Sequence, residues 1–242
     1  MISIIIPTCN EEKDVSRLID CLLNSSVDKE IIVTDDASTD KTLLVLEKYE
    51  NKIKVLANQP RHKSIAANRN EGAKSANIDS EFLVFMDATT FLKNPDDFFK
   101  KALSIFNNDK NLVAITGRLM VLKEFETFGD KVMHFLFNLI IMIKNNYLGM
   151  TEASGKFEMI RRAVFEKVNG FNEDLITRED ADMFGRLAKI GKTRYMKELE
   201  IFYTGRRQHI LGWPKLLFIW MLETFWVSVF GKARTKVWPV TR

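Results

Sequence analysis

Short runs of β-forming apolar residues recur at positions 2–6, 30–34, 52–56 and 81–86, and the three intervals between them carry apolar residues at helical spacing. In the first interval Val15, Leu18, Ile19, Leu22 and Leu23 share one face of a helix. In the second, Ser38 to Asp40 supply short oxygens that can cap a helix bearing Leu43, Leu44, Leu46 and Tyr49. A third helix is expected from about Ser64 to Ala76. Strands and helices alternating in this order predict an α/β fold, with a mostly parallel central sheet and helices on both faces. After the fourth strand, Asn94-Pro95-Asp96-Asp97 reads as a helix start: Asn94 can cap, Pro95 loses no helical bond at the first position, and the two carboxylates meet the positive end of the dipole.

The later pattern differs. Positions 112–116 and 157–160 read as strands, 163–168 as a short helix before the turn Asn169-Gly170, and 132–143 as an apolar stretch broken by His134 and Asn138. A helix over 181–190 turns Met183, Phe184, Leu187 and Ile190 inward, with Gly191 just past its end. No internal repeat or low-complexity linker divides the chain.

With 242 residues, 46% of them hydrophobic, the chain can bury a complete core. The net charge of +4 is too mild to indicate nucleic acid, which is not an expected partner. The two cysteines, Cys9 and Cys21, have no Cys-x-x-Cys spacing, so neither a disulfide framework nor a zinc site is indicated, and a reducing, cytoplasmic compartment fits. The first seven residues lack the basic region and cleavage site of a secretory leader.

Chemistry enters at the strand ends. Thr34-Asp35-Asp36-Ala37-Ser38-Thr39-Asp40 puts adjacent carboxylates at the C-terminal edge of a strand, where open α/β folds collect ligands. Asp36 can accept bonds from a nucleobase or ribose; the alternative is that Asp35 and Asp36 finish the turn while Asp40 caps the next helix. No Gly-x-Gly-x-x-Gly follows the first strand, which argues against a dinucleotide site.

Six segments in order, namely Pro7-Thr8-Cys9-Asn10-Glu11, Asp35 to Asp40, Ala67-Asn68-Arg69-Asn70-Glu71-Gly72, Met86-Asp87-Ala88-Thr89, Gly170-Phe171-Asn172-Glu173 and Glu179-Asp180, resemble the signature pieces of family 2 glycosyltransferases. The resemblance implies a GT-A fold and inverting transfer from a nucleotide-diphosphate sugar. It implies a single domain over 1–210, with a nucleotide-binding half at 1–90 and an acceptor-side half at 91–210. Thr8 and Glu11 would line the nucleoside pocket, Asp36 would hold the base, Arg69 would lie beside it or near the diphosphate, and Asp87 would serve the diphosphate and a metal. Asp180 would be the base that deprotonates the acceptor, with Glu179 orienting it. Local chemistry leaves alternatives open: Arg69 as a salt-bridge partner only, and the Glu179, Asp180 and Asp182 carboxylates as partners of a helix dipole.

The family pattern usually carries a second Asp where this chain has Thr89. Mg²⁺ or Mn²⁺ on Asp87 is the expected cofactor, with His209 as a candidate further ligand and Arg206 and Arg207 as candidate phosphate clamps. Solvated surface is the other reading of the arginine pair. Thr89 leaves three outcomes: Asp87 suffices with phosphate oxygens, waters and another side chain; cationic residues replace much of the metal's role; or the chain is a non-catalytic, glycosyltransferase-like nucleotide-binding or scaffold protein. Arg161 and Arg162 read either as support for the site or as solvated.

Residues 211–242 form an aromatic, amphipathic extension with Trp213, Trp220, Trp226 and Trp238, and with Lys232, Arg234 and Lys236 near its end. Interrupted by Glu223, the run is too short for an untilted span but suits a helix lying in a membrane interface. Peripheral contact with the inner face of the plasma membrane and a saccharide or lipid-linked acceptor are the corresponding expectations. Packing on the core or against a second copy is the alternative. His62 lies in a basic loop and suggests no role.

Overall fold

A computed structural model describes residues 1–59, 64–149 and 152–230. Its elements run β1 (Ile2–Thr8), α1 (Val15–Leu23), β2 (Lys29–Asp36), α2 (Thr42–Glu47), β3 (Lys54–Asn58), α3 (Ile65–Lys74), β4 (Phe82–Phe85), β5 (Thr90–Phe91) and α4 (Pro95–Asn108). They continue with β6 (Leu112–Val121), α5 (Phe128–Asn146), β7 (Glu158–Arg161), α6 (Arg162–Lys167), α7 (Glu179–Leu187), β8 (Lys192–Tyr203), α8 (Arg206–Leu211) and α9 (Trp213–Phe230). His62, Lys232, Arg234, Lys236 and Trp238 lie outside the described residues.

All eight strands join one sheet in the order β3-β2-β1-β4-β7-β6-β8-β5. Alternation along β1 sends Ile2, Ile4 and Ile6 to one face, where they meet Val15 and Leu18 of α1 and Phe98 and Phe99 of α4. Ile5 faces the other way, into a second core with Ala66 and Ala73 of α3 and Met183, Phe184 and Leu187 of α7. Helices therefore cover both faces, as the apolar patterning requires.

The sheet is mixed rather than mostly parallel. β1 pairs in parallel with β2 and β4, but β7 runs antiparallel to both β4 and β6, and β5 antiparallel to β8. A short, fully buried strand shows the same apolar pattern in either direction, and here the return of the chain after α5 sets the direction of β7. Sequence patterning also missed β8, because Lys192, Arg194, Lys197 and Glu198 mask its alternation and a register shift interrupts its pairing with β6. α7 stops at Leu187, short of the expected 190. Gly191 is not a left-handed cap: a Cβ there would lie 2.8 Å from the Asn111 carbonyl and 2.4 Å from Val113, so close approach to β6 demands glycine.

The start signals act as read. Ser64 Oγ accepts from the Ala67 N–H at 3.3 Å, and Asn94 Oδ1 from the Asp97 N–H at 3.1 Å. His134 and Asn138, which interrupt the apolar stretch of α5, are satisfied inside: Asn138 bonds the backbone of Leu119, and His134 Nε2 meets the Tyr203 hydroxyl at 2.7 Å.

The C-terminal helix docks on α5 through Trp213 and Trp220, which pack on Phe137, while the fully buried Asp130 of α5 accepts from Trp213 Nε1 at 3.0 Å. Glu223, costly in lipid, points inward beside Thr177. α9 is apolar on its outer face as well, so the expected amphipathic segregation is absent: one apolar face packs on protein and the other, with Phe218, Met221 and Phe225, is exposed. Among the described residues no helix is long and apolar enough to cross a membrane.

Candidate active site

At the strand-end edge of the sheet, β1 and β2 finish side by side, with Thr8 in register with Asp35. The two neighbouring carboxylates separate in role. Asp35 is turned into the loop, where it accepts from the backbone N–H of Ser38 at 3.0 Å and from the Ser38 and Thr8 hydroxyls. Asp36 lines the cavity instead, with Thr8 and Glu11. Asp40 accepts from the N–H of Thr42 at 2.9 Å, so the local alternative holds for Asp35, which finishes the turn, and for Asp40 at the start of α2, but it does not account for Asp36 lining the cavity. Asn10 and Ala37 adopt left-handed backbone at this loop, and Asn10 Oδ1 accepts from the Thr39 N–H at 2.6 Å, tying the two strand ends together.

Helix α3 explains the Ala67 to Gly72 segment one residue at a time. Asn68 donates to the Thr34 carbonyl at 2.9 Å and holds the helix on β2. Asn70 exchanges bonds with both backbone groups of Phe171 at 2.9 Å and so fixes the Gly170-Phe171-Asn172-Glu173 turn. Between them Arg69, almost wholly buried, projects into a cluster of carboxyl groups. Its Nη1 contacts Asp180 and, at 3.2 Å, Glu179; its Nη2 lies 3.6 Å from Asp87. One guanidinium therefore spans the two motifs that the sequence reserves for donor and acceptor.

Asp180 is also held by the backbone. The Gly155 N–H donates to its Oδ2 at 2.8 Å, and a Cβ at Gly155 would stand 2.1 Å from Arg69 Nη2, so only glycine lets the loop come this close. On the other side, Arg178 begins α7 from a left-handed conformation, φ 62°, which a non-glycine residue holds only when its surroundings fix it. The bonds from its guanidinium to Thr224 of α9 at 3.0 Å and to Glu152 at 3.3 Å supply that hold.

Four carboxyl groups crowd Arg69, and burial sorts them. Asp87 and Asp180 keep 27% and 18% of their side chains exposed to the cavity. Glu158 of β7 is completely buried and no donor reaches either oxygen, so burial first and then the Asp180 charge push its carboxyl well above the usual range. Burial and the Asp180 charge likewise raise Glu179, to about 8, against the pull of Arg69. The cluster thus holds two carboxyl groups open to the cavity, Asp87 and Asp180, and two buried ones, Glu158 and Glu179, that burial holds above the usual carboxylate range. Asp182 pairs with Arg186 at 2.8 Å and fits the simpler helix-terminus role.

A neutral Glu179 makes stability depend on pH. The native state keeps its proton while the unfolded chain, with a pKa of 4.5, loses it, so this contribution is lost as pH rises toward about 8. Burial lowers the pKa of His134 from 6.5, which acts in the opposite sense below that pH. The urea midpoint is therefore expected to fall between pH 6.5 and 8 and to fall less in Glu179→Gln; an equal slope in the variant would refute the assignment.

Asp87 emerges beyond β4. Burial raises its carboxyl, but Lys156 and Arg69 outweigh this and bring it below its ordinary value. The Lys156 ammonium donates to Asp87 Oδ2 at 2.8 Å and to Thr89 Oγ1 at 2.9 Å. A divalent ion here would find one carboxylate already shared by two cations and a hydroxyl already engaged. Among the described residues no group of three or more His, Cys, Asp and Glu could hold a metal. His209 does not complete such a set: its Nε2 lies 2.8 Å from Asp130, a residue fully occupied in docking α8 and α9. The donor set beside Asp87 does not fit a divalent ion.

The arginine pair divides. Arg206 directs its fork to Glu11, at 3.0 and 3.2 Å, and to Asp14 at 3.2 Å, so it braces the loop between β1 and α1 rather than standing ready as a phosphate clamp. Arg207 lines the cavity close enough to Asp87 and Glu179 to feel their charges. Arg161 bonds the Leu112 and Phe106 carbonyls, and Arg162 reaches Glu166 and Asn77, so both support the far end of the sheet.

Thr8, Glu11, Asp36, Arg69, Asp87, Glu179, Asp180, Arg206 and Arg207 all border one cavity of about 880 Å³; His209 does not. Sequence patterning missed Lys156 and Glu158. Each lies in or beside a short strand with no local signal, and their partners are 69 and 22 residues away.

A mixed α/β sheet with helices on both faces and a cavity at its strand ends, bordered by the carboxylate cluster, is the GT-A fold. The chain belongs to glycosyl transferase family 2, whose pattern it matches over residues 3–168. It is 30% identical over 179 residues, 71% of this chain and 55% of the relative, to the O-antigen chain rhamnosyltransferase WbaN of Salmonella anatum. It is 28% identical over 213 residues, 80% of this chain and 63% of the relative, to the dolichyl N-acetyl-alpha-D-glucosaminyl phosphate 3-beta-D-2,3-diacetamido-2,3-dideoxy-beta-D-glucuronosyltransferase of Methanococcus voltae. The chain is thus shorter than these curated relatives, spanning 55% and 63% of their lengths. Among solved structures, the mannosyltransferase PcManGT of Pyrobaculum calidifontis, in complex with GDP-Man and Mn²⁺, shares the fold with a TM-score of 0.75 at 15% identity, covering 97% of this chain and 65% of that one.

Proposed function

We propose that the protein is an inverting glycosyltransferase that moves a sugar from a nucleotide-diphosphate donor to a hydroxyl or phosphate of a lipid-linked acceptor at the cytoplasmic face of a membrane. The observation that carries this reading is the placement of Asp180. Held by Arg69 and the Gly155 N–H, it borders the same cavity as Thr8 and Asp36 at one end and the apolar flanks of α5 and α9 at the other. The acceptor oxygen forms the new bond to the anomeric carbon and gives its proton to Asp180. The bond to the diphosphate breaks on the opposite side, and its electron pair leaves with the phosphate oxygen.

The acceptor class rests on surface chemistry. Phe135 and Ile140 of α5 and Phe218, Met221 and Phe225 of α9 are exposed, with Phe135 at 68% and Phe225 at 61%. Exposed apolar surface on this scale marks a contact with lipid or protein. Ile140 and Met221 of this surface also line the cavity, which favours an acceptor whose sugar or phosphate enters while its chain stays in the bilayer. The dolichyl phosphate in the name of the Methanococcus voltae relative agrees with such an acceptor.

Release of nucleoside diphosphate from a panel of UDP-, GDP- and dTDP-sugars with polyprenyl-phosphate-linked acceptors tests the activity. Nucleotide binding with no turnover across the panel would instead favour the non-catalytic reading that Thr89 motivates. For the membrane face, the protein is expected to float with vesicles containing phosphatidylglycerol. Phe218→Ser and Phe225→Ser should each weaken this binding roughly tenfold without lowering thermal stability. Unchanged flotation in the double variant would remove the lipid role of α9.

A further inference from the structure

Lys156 sits directly after Gly155, and its carbonyl is fixed by the Thr90 hydroxyl at 3.2 Å. The side chain crosses the face of Tyr203, with the ammonium 5.0 Å from the ring centroid, and ends between Asp87 and Thr89. An ammonium has three N–H donors, and these two contacts use two of them. The side chain is 21% exposed, at the wall of the cavity.

We propose that the Lys156 ammonium is the cation that binds the donor diphosphate and stabilises it as leaving group, at the place between Asp87 and Thr89 where the sequence pattern calls for a divalent ion. The proposal rests on the donor reading above. Formal charge supports the exchange: one carboxylate, one hydroxyl and one ammonium sum to zero, as would two carboxylates with a divalent ion. Thr89 then has a physical reason. A second Asp would tie up the ammonium in a double ion pair, whereas a hydroxyl holds it without cancelling its charge. A divalent ion on Asp87 would stand within a few ångströms of this ammonium and near Arg69 and Arg207, and like charges at that range repel strongly. A diphosphate is the ligand such an arrangement favours. When the bond to the anomeric carbon breaks, the electron pair goes to the phosphate oxygen and the third N–H of Lys156 donates to it. Lys156 keeps its proton, and the acceptor's proton goes to Asp180.

The test is calorimetric binding of UDP, GDP and dTDP and of their monophosphates to the full chain, in EDTA and in Mn²⁺. The diphosphate that binds is expected to hold its affinity in EDTA to within about twofold, and Lys156→Met to weaken it roughly 10- to 100-fold while leaving the monophosphate unchanged. Lys156→Arg should restore most of the loss. The double variant Thr89→Asp/Lys156→Ala should bind the diphosphate only with Mn²⁺. Wild-type binding that requires Mn²⁺, or a Lys156→Met loss equal for mono- and diphosphates, would overturn the role of Lys156 and leave the donor site standing. Failure of every nucleotide in both conditions would instead overturn the donor reading itself.

Discussion

Asp180→Asn is expected to lower kcat by roughly 10³-fold while leaving nucleoside diphosphate affinity almost unchanged. Asparagine keeps the shape of the side chain and its single oxygen can accept from the Gly155 N–H, which lies 2.8 Å from Asp180 Oδ2, at the cost of the acceptor that Oδ1 offers to Arg69. What it loses is the ability to take a proton from the attacking oxygen. The acceptor's KM should move little, since the change removes an interaction made in the transition state. Single-turnover sugar transfer with saturating donor is the measurement. Turnover within a few-fold of wild type would sink the base assignment, and a matching fall in nucleotide affinity would point to a disturbed Arg69 cluster instead.

The second large effect is expected at Arg69. Its guanidinium reaches Asp180, Glu179 and Asp87, and packs 5.2 Å above the Phe171 ring. Burial works against its charge, and the surrounding carboxylates more than restore it. Arg69→Ala strands buried carboxyl groups beside one another, so a loss of about 3–5 kcal/mol in unfolding free energy is expected, together with loss of transfer. Arg69→Lys should rescue neither, because one ammonium cannot span three carboxyl groups as a planar fork does. Urea denaturation near pH 7 reads the effect. A loss below about 1 kcal/mol would show that the cluster reorganises or is solvated, and that Arg69 does not organise the site.

The two halves of the site were unequally legible in the sequence. The polar residues after β1 and β2, Asp36 among them, follow directly from strand ends, since a run of apolar β-formers that stops at polar residues puts those residues at the sheet edge; the roles of Thr8 and Glu11 came from the family resemblance. The caps at Ser64 and Asn94 were legible for a similar local reason: one short side chain within three residues of the N–H it satisfies. The phosphate end was not. Thr89 was visible as a departure from the family pattern, but its partner Lys156 was not, because a lone lysine beside a glycine carries no periodicity and the contact spans 67 residues. His209 shows the converse. Its place after two arginines suggested metal, while the fold turns it toward Asp130 and away from Asp87.

Apolar periodicity and strand-end chemistry, which are local properties of the chain, determined the α/β class, the helices on both sheet faces and the carboxylates at the strand-end edge. Tertiary structure decided the rest: the antiparallel course of β7, the strand β8 hidden among charged residues, the outward apolar face of α9, and the division of the carboxyl groups around Arg69 into two open to the cavity, Asp87 and Asp180, and two buried, Glu158 and Glu179. The physical reason is that direction, depth of burial and the sharing of one guanidinium depend on what distant segments bring to the same point. No window of neighbouring residues encodes how much water or opposite charge a carboxyl group will meet.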